Sequence, residues 1–177
     1  IRTRNRIGWI VDKILIIAGG YSNEREISLI TAKSVTKELK KNKKYKLLTI
    51  EPNGHFVEKL RKFKPKLVLN LLHGRYGEDG YIQSILESER IKYTHSGVLS
   101  SSLAIDKEIS KKIFIKNKIL TPSYFKFTFK KKTNYKNIIR KIEKKLKFPA
   151  VLKPINEGSS VGVYIANKKN FINNLIK

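Results

Sequence analysis

The chain has 177 residues, none of them cysteine or methionine, and 39 lysines and arginines against 14 acidic residues give a formal net charge of +25. That length holds one good hydrophobic core or two small ones, while the lack of cysteine excludes a disulfide framework and a thiolate zinc site, and three histidines leave little for a metal cluster. So high a charge is the usual footprint of a nucleic-acid partner, but the lysines are spread over expected helix faces in a Lys-, Ile- and Asn-rich background, so compositional bias accounts for it and specific nucleic-acid binding is not expected.

The sequence starts at Ile1 with no methionine anywhere, which reads as a processed product or a fragment. Ile1 to Arg6 is rich in arginine and precedes an apolar run, Ile7 to Val11, but Asp12 and Lys13 end that run far short of a signal core. Residues 1–12 are treated as a tail. Ile14 to Gly20 is the longest clean apolar run and is far too short to span a bilayer, so no membrane partner is expected.

Lys13 to Gly20 reads as a buried strand ending in Gly19-Gly20. Glu24 to Lys40 follows with Ile27, Ile30, Val35 and Leu39 at helical spacing, and Asn23 with Glu26 resembles a capping box. A strand, a glycine turn and a helix open a doubly wound unit, whose ligands sit at the carboxyl ends of the strands. The turn matches neither the dinucleotide fingerprint nor a P-loop. Lys46 to Glu51 is a second strand, Val57 to Phe63 a helix, and Leu67 to Leu72 a third strand, apolar on both faces as in a parallel sheet.

After that strand come His73-Gly74-Arg75-Tyr76-Gly77-Glu78-Asp79-Gly80, a second site candidate in which His73 is either a satisfied loop histidine or a site residue. A helix around Ile82 to Leu86, a short strand from Ile91 to Thr94 and a helix of small residues from Ser96 to Ile105 follow. Ile109 to Asn117 is helical, Tyr124 to Phe129 alternates as a strand, and Tyr135 to Leu146 is an amphipathic helix. Ala150 to Leu152 and Val161 to Ile165 flank Glu157-Gly158-Ser159-Ser160 as a hairpin. Its backbone N–H groups can converge on an anion, with Lys153 adding charge, although an ordinary surface hairpin fits the same residues. Phe171 to Ile176 opens a final helix.

Taken in order, Gly19-Gly20-Tyr21-Ser22-Asn23-Glu24-Arg25-Glu26-Ile27-Ser28, the His73–Gly80 loop, Tyr93 to Gly97, Asp106-Lys107 and Lys153 to Gly162 resemble D-alanine–D-alanine ligases of the ATP-grasp superfamily, from Lys13 to the end. The resemblance implies an α/β fold: a doubly wound parallel-sheet, preATP-grasp (Rossmann-like) domain over residues 13–104, then an incomplete α+β ATP-grasp domain over 105–177. It implies ATP-dependent joining of two D-alanines for peptidoglycan, in which ATP phosphorylates the first carboxylate and the amine of the second D-alanine displaces phosphate. By the same resemblance Glu24 holds the ammonium of the first D-alanine, His73 lies beside it, and Ser159 and Ser160 bond into that site. Lys107 and Lys153, with Glu157, Gly158 and Gly162 of the lid, contact ATP.

His95 and Ile105 stand where the family more often has glycine and methionine. The family's adenine-holding residues, its magnesium-binding acids and an arginine lie further on, so Mg2+ is expected as a cofactor with no ligand in this chain, which by itself is expected to be inactive. A cytoplasmic location and, for the complete enzyme, a homodimer are expected. Another ATP-grasp carboxylate–amine ligase, or a basic nucleic-acid-binding protein, are the alternatives.

Overall fold

The computed structural model describes residues 12–128 and 134–171, and the chain divides into two compact units between Ser102 and Leu103. The first carries β1 (Asp12–Ile17), α1 (Arg25–Leu39), β2 (Tyr45–Ile50), α2 (Phe56–Phe63), β3 (Leu67–Asn70), α3 (Tyr81–Ser88) and most of α4 (Val98–Ile105). Its strands run parallel in the order β2-β1-β3, with Ile14 opposite both Leu47 and Leu67. Asp12 is the first residue of β1 and pairs with Tyr45, so the strand starts inside the stretch expected as a tail; residues 1–11 lie outside the described set.

Successive side chains of a strand point to opposite faces, and β1 uses both. Leu15 and Ile17 pack with Phe56, Leu60, Ile82 and Leu86 from α2 and α3, whereas Ile14, Ile16 and Ala18 pack with Ala32 and Leu29 of α1. This two-faced burial is why β1 reads as an unbroken apolar run. On α1 the inward face is Ser28 and Ala32, and the expected core positions Ile27 and Ile30 are exposed. Small residues let the helix lie close to the sheet.

β1 is the middle strand of the three and β3 ends the ladder. Ile91 to Thr94, expected as a strand, meets β3 through one parallel bridge between Val68 and Tyr93. The Val68 N–H donates to Lys92 O at 2.9 Å and the Thr94 N–H to Val68 O at 3.0 Å. The next donor, Asn70 N–H, goes to Thr94 Oγ1 at 3.0 Å, so a side chain replaces a backbone carbonyl and the pairing stops. β3 is nonetheless covered, with Val68 and Asn70 fully buried.

The second unit carries α5 (Lys107–Lys116), α6 (Tyr135–Lys145), β4 (Ala150–Leu152) and β5 (Tyr164–Ala166). β4 and β5 pair antiparallel with Val151 opposite Ile165. Ile138 and Ile142 of α6 close over Ala150, Ala166 and Phe171. The expected strand from Tyr124 is not formed over residues 124–128, while Phe129 is outside the described residues. Its alternation is real, since Phe125 and Phe127 both pack on this core; periodicity fixes which side faces inward but supplies no hydrogen-bonded neighbour. Val151 and Ile165, 56% and 72% exposed, leave the outer face of the hairpin apolar. The expected final helix has only Phe171 among the described residues. No helix of the described residues is long and apolar enough to cross a membrane.

Candidate active site

In the order β2-β1-β3 the chain passes from β1 to one side and returns to the other, so the loops leaving β1 and β3 part at their carboxyl ends, where open α/β sheets take their ligands. Glu24 and His73 lie on these two loops. Glu24 is the residue before α1 and is 1% exposed. Its Oε2 has no hydrogen-bond partner. Buried carboxylates are normally paired, and the adjacent cation is directed elsewhere: Arg25 Nε and Nη2 donate to Glu51 at 3.1 and 2.6 Å, a contact that holds the guanidinium pKa above its ordinary value. The Asn23–Glu26 capping box is therefore corrected. The helix start has no side-chain cap, because the Glu24 side chain is turned inward and its N–H is met by Ser22 Oγ at 3.1 Å.

The His73 loop is braced by its own acids. Glu78 Oε2 accepts from Gly74 N–H at 2.9 Å, and Asp79 accepts from Tyr76 N–H and Tyr81 N–H at 2.8 and 3.1 Å. Beneath it, the Asn70 and Gln83 amides both donate to Gly77 O at 2.8 Å. Glu78 and Asp79 are thus loop builders. His73 Nε2 sits 3.5 Å from Thr31 Oγ1 of α1. Gly74, at φ +68, lies directly against Glu24, and a Cβ there would overlap Glu24 Oε2.

In the second unit an open cavity of about 1200 Å3 is lined by five lysines, Lys107, Lys111, Lys126, Lys145 and Lys153, and by aromatic rings including Phe125 and Tyr164. Such a surface suits a polyanion with a flat group attached. Glu108 is the one acid lining it, and hydrogen bonds from Lys126 and then Lys112 hold its carboxyl pKa below the ordinary value. Lys107, Lys153 and Gly162 share this cavity, whereas Glu157, Gly158, Ser159 and Ser160 do not line it. Lys107 Nζ donates to Ile155 O at 3.1 Å and to Glu157 O, which ties the start of α5 to the loop after β4. Ser159, Ser160 and Gly162 all have left-handed backbones, at φ 41, 63 and 65, a cluster of the kind that recurs in ligand-clamping loops.

The family model described as "D-ala D-ala ligase C-terminus" matches residues 113–177. The D-alanine–D-alanine ligase of Pelagibacter ubique (strain HTCC1062) is 63% identical over 163 residues, which are 92% of this chain and 53% of that protein. Nearly the whole of this chain is thus similar to D-alanine–D-alanine ligases. The chain spans about half the length of the curated relatives it matches. The crystal structure of the Bacillus anthracis D-alanine–D-alanine ligase is 38% identical with a TM-score of 0.75, covering 93% of this chain and 53% of that one. A structure of that ligase complexed with ATP is 34% identical with a TM-score of 0.74, covering 93% and 54%. The ATP-grasp fold expected from the motifs is thereby established, and so is use of ATP in the family.

Magnesium is a separate matter. Among the described residues no three His, Cys, Asp or Glu side chains come together where they could hold a metal ion. Sequence reading missed Ser22, Ser28 and Gly74 as parts of the site; the serines and Glu24 stand together in one motif, which was the available signal. Asp106, next to Lys107, caps α5 by accepting from Glu108 N–H and Ile109 N–H at 2.8 and 2.9 Å. Asp106→Ala is expected to lower stability by about 1 kcal/mol, read as a shift of the urea midpoint at unchanged slope.

Proposed function

We propose that this chain provides the first D-alanine site and part of the ATP site of an enzyme that joins two D-alanines, ATP being consumed through an acyl phosphate. The carrying observation is the buried, unpartnered Glu24 Oε2 at the sheet's switch point. A carboxylate there complements a small ammonium, and a charge-assisted bond in so dry a place is strong. Glu24 fixes the first D-alanine by its amine and His73 lies beside it. Ser159 and Ser160 supply hydroxyls to bound substrate. Lys107 and Lys153 meet ATP phosphates, with positive charge set where negative charge builds; the Glu157–Gly162 stretch excludes water, to which an acyl phosphate is vulnerable. Magnesium, when bound, would neutralise the transferring phosphates, held by residues other than those described. A cytoplasmic homodimer is the proposed setting.

The test joins this chain to the remaining half of the Bacillus anthracis ligase and measures phosphate release with ATP, magnesium and D-alanine. D-alanine-dependent release is expected. Release driven by another amino acid and not by D-alanine would indicate a different carboxylate–amine ligase, and salt-sensitive heparin retention without any release would favour a polyanion-binding role.

A further inference from the structure

We propose that Ser22 is a positioning residue that sets the Glu24 carboxylate against the His73 loop, an inference that rests on the function proposed above. Ser22 Oγ lies 2.7 Å from His73 O and 3.1 Å from Glu24 N. A carbonyl only accepts and a backbone N–H only donates, so the hydroxyl proton points at His73 and a lone pair at Glu24. One side chain thereby joins the two loops across 51 residues of sequence. Ser28 repeats the device deeper down, accepting from Gly19 N–H at 2.8 Å and donating to Leu71 O at 2.6 Å. Ser28 ties the bases of the loops and is fully buried, whereas Ser22 ties the two residues assigned to substrate and is only partly buried. Small errors in placing a charge-assisted contact cost binding steeply.

The 177-residue chain is titrated with D-alanine and the His73 ring signal followed by NMR. Ser22→Ala is expected to raise the dissociation constant about 10-fold, the scale of one lost hydrogen-bonded link, and to speed hydrogen exchange at the Glu24 amide. Ser22→Thr keeps the hydroxyl and is expected to stay within about two-fold. In the joined enzyme the same Ser22→Ala change is expected to raise KM for D-alanine while leaving KM for ATP unchanged. Wild-type affinity in Ser22→Ala overturns the inference; if that variant does not fold, wild-type affinity in Ser22→Cys does so instead. Loss of binding in Glu24→Gln with full binding in Ser22→Ala leaves the proposed function standing and removes this inference alone. No D-alanine response in the unaltered chain removes both.

Discussion

Glu24→Gln is expected to lower kcat/KM for D-alanine by about 10²- to 10⁴-fold in the joined enzyme, with KM for ATP unchanged. The substitution keeps the shape of the side chain and removes its charge. Deleting one member of a buried charged pair costs about 3–5 kcal/mol, because the other charge stays desolvated and uncompensated, and each 1.36 kcal/mol is tenfold in rate. Arg25 cannot substitute as the counter-charge of a missing ligand, since its guanidinium is spent on Glu51. The unliganded protein should respond in the other direction. Glu24 Oε2 is buried without a partner, so removing the charge is expected to stabilise the free chain by on the order of 1 kcal/mol. A gain in stability coupled to a loss of function marks a group retained for its ligand.

Gly74→Ala is expected to cost about as much function by a different route. A side chain at φ +68 is strained by roughly 1–2 kcal/mol, and the added Cβ would fall on Glu24 Oε2. That oxygen is the far end of a side chain, so it moves in preference to the backbone. Glu24 has almost no exposed surface into which to move, and a displaced carboxylate no longer meets the ammonium. The expected result is a loss in D-alanine affinity of about 10²-fold and a stability loss of about 1–2 kcal/mol. Gly54→Ala is the control: a Cβ there meets nothing within 4 Å, and stability is expected to change by less than about 0.5 kcal/mol. Equal effects at the two glycines would refute this account of Gly74.

Much of the first unit was legible in the sequence because its signals are local. The apolar run of β1, the glycine turn and the helical spacing of α1 each lie within a few residues, and the His73 motif directly follows a strand. What escaped depends on distance. No periodicity shows that Ser22 reaches His73, or that Thr94 intercepts the Asn70 N–H and stops a strand. The capping box failed because Glu24 is turned inward for a reason outside the helix. Ile27 and Ile30 have the right spacing for a core face, but Ser28 and Ala32 take that face, since closeness to the sheet matters more there than apolar bulk. In the second unit the hairpin residues and Lys153 suggested an anion, and the family resemblance implied the same for Lys107, yet the bonds of Lys107 to Ile155 O and Glu157 O could not be read from a long, flexible side chain's position in the sequence.

Thermal unfolding of the 177-residue chain and of Glu24→Gln, each with D-alanine, with propionate and with neither, tests the role of Glu24 most directly. A ligand that binds only the folded state raises the midpoint by an amount set by its concentration over its dissociation constant. Propionate shares the carboxylate and methyl of D-alanine but lacks the amine. The expected result is a midpoint raised by D-alanine in the unaltered chain, little change with propionate, and a Glu24→Gln midpoint that starts higher and does not move with D-alanine. An equal rise with propionate, or a D-alanine rise that survives in Glu24→Gln, would contradict the assignment of Glu24 to the substrate ammonium.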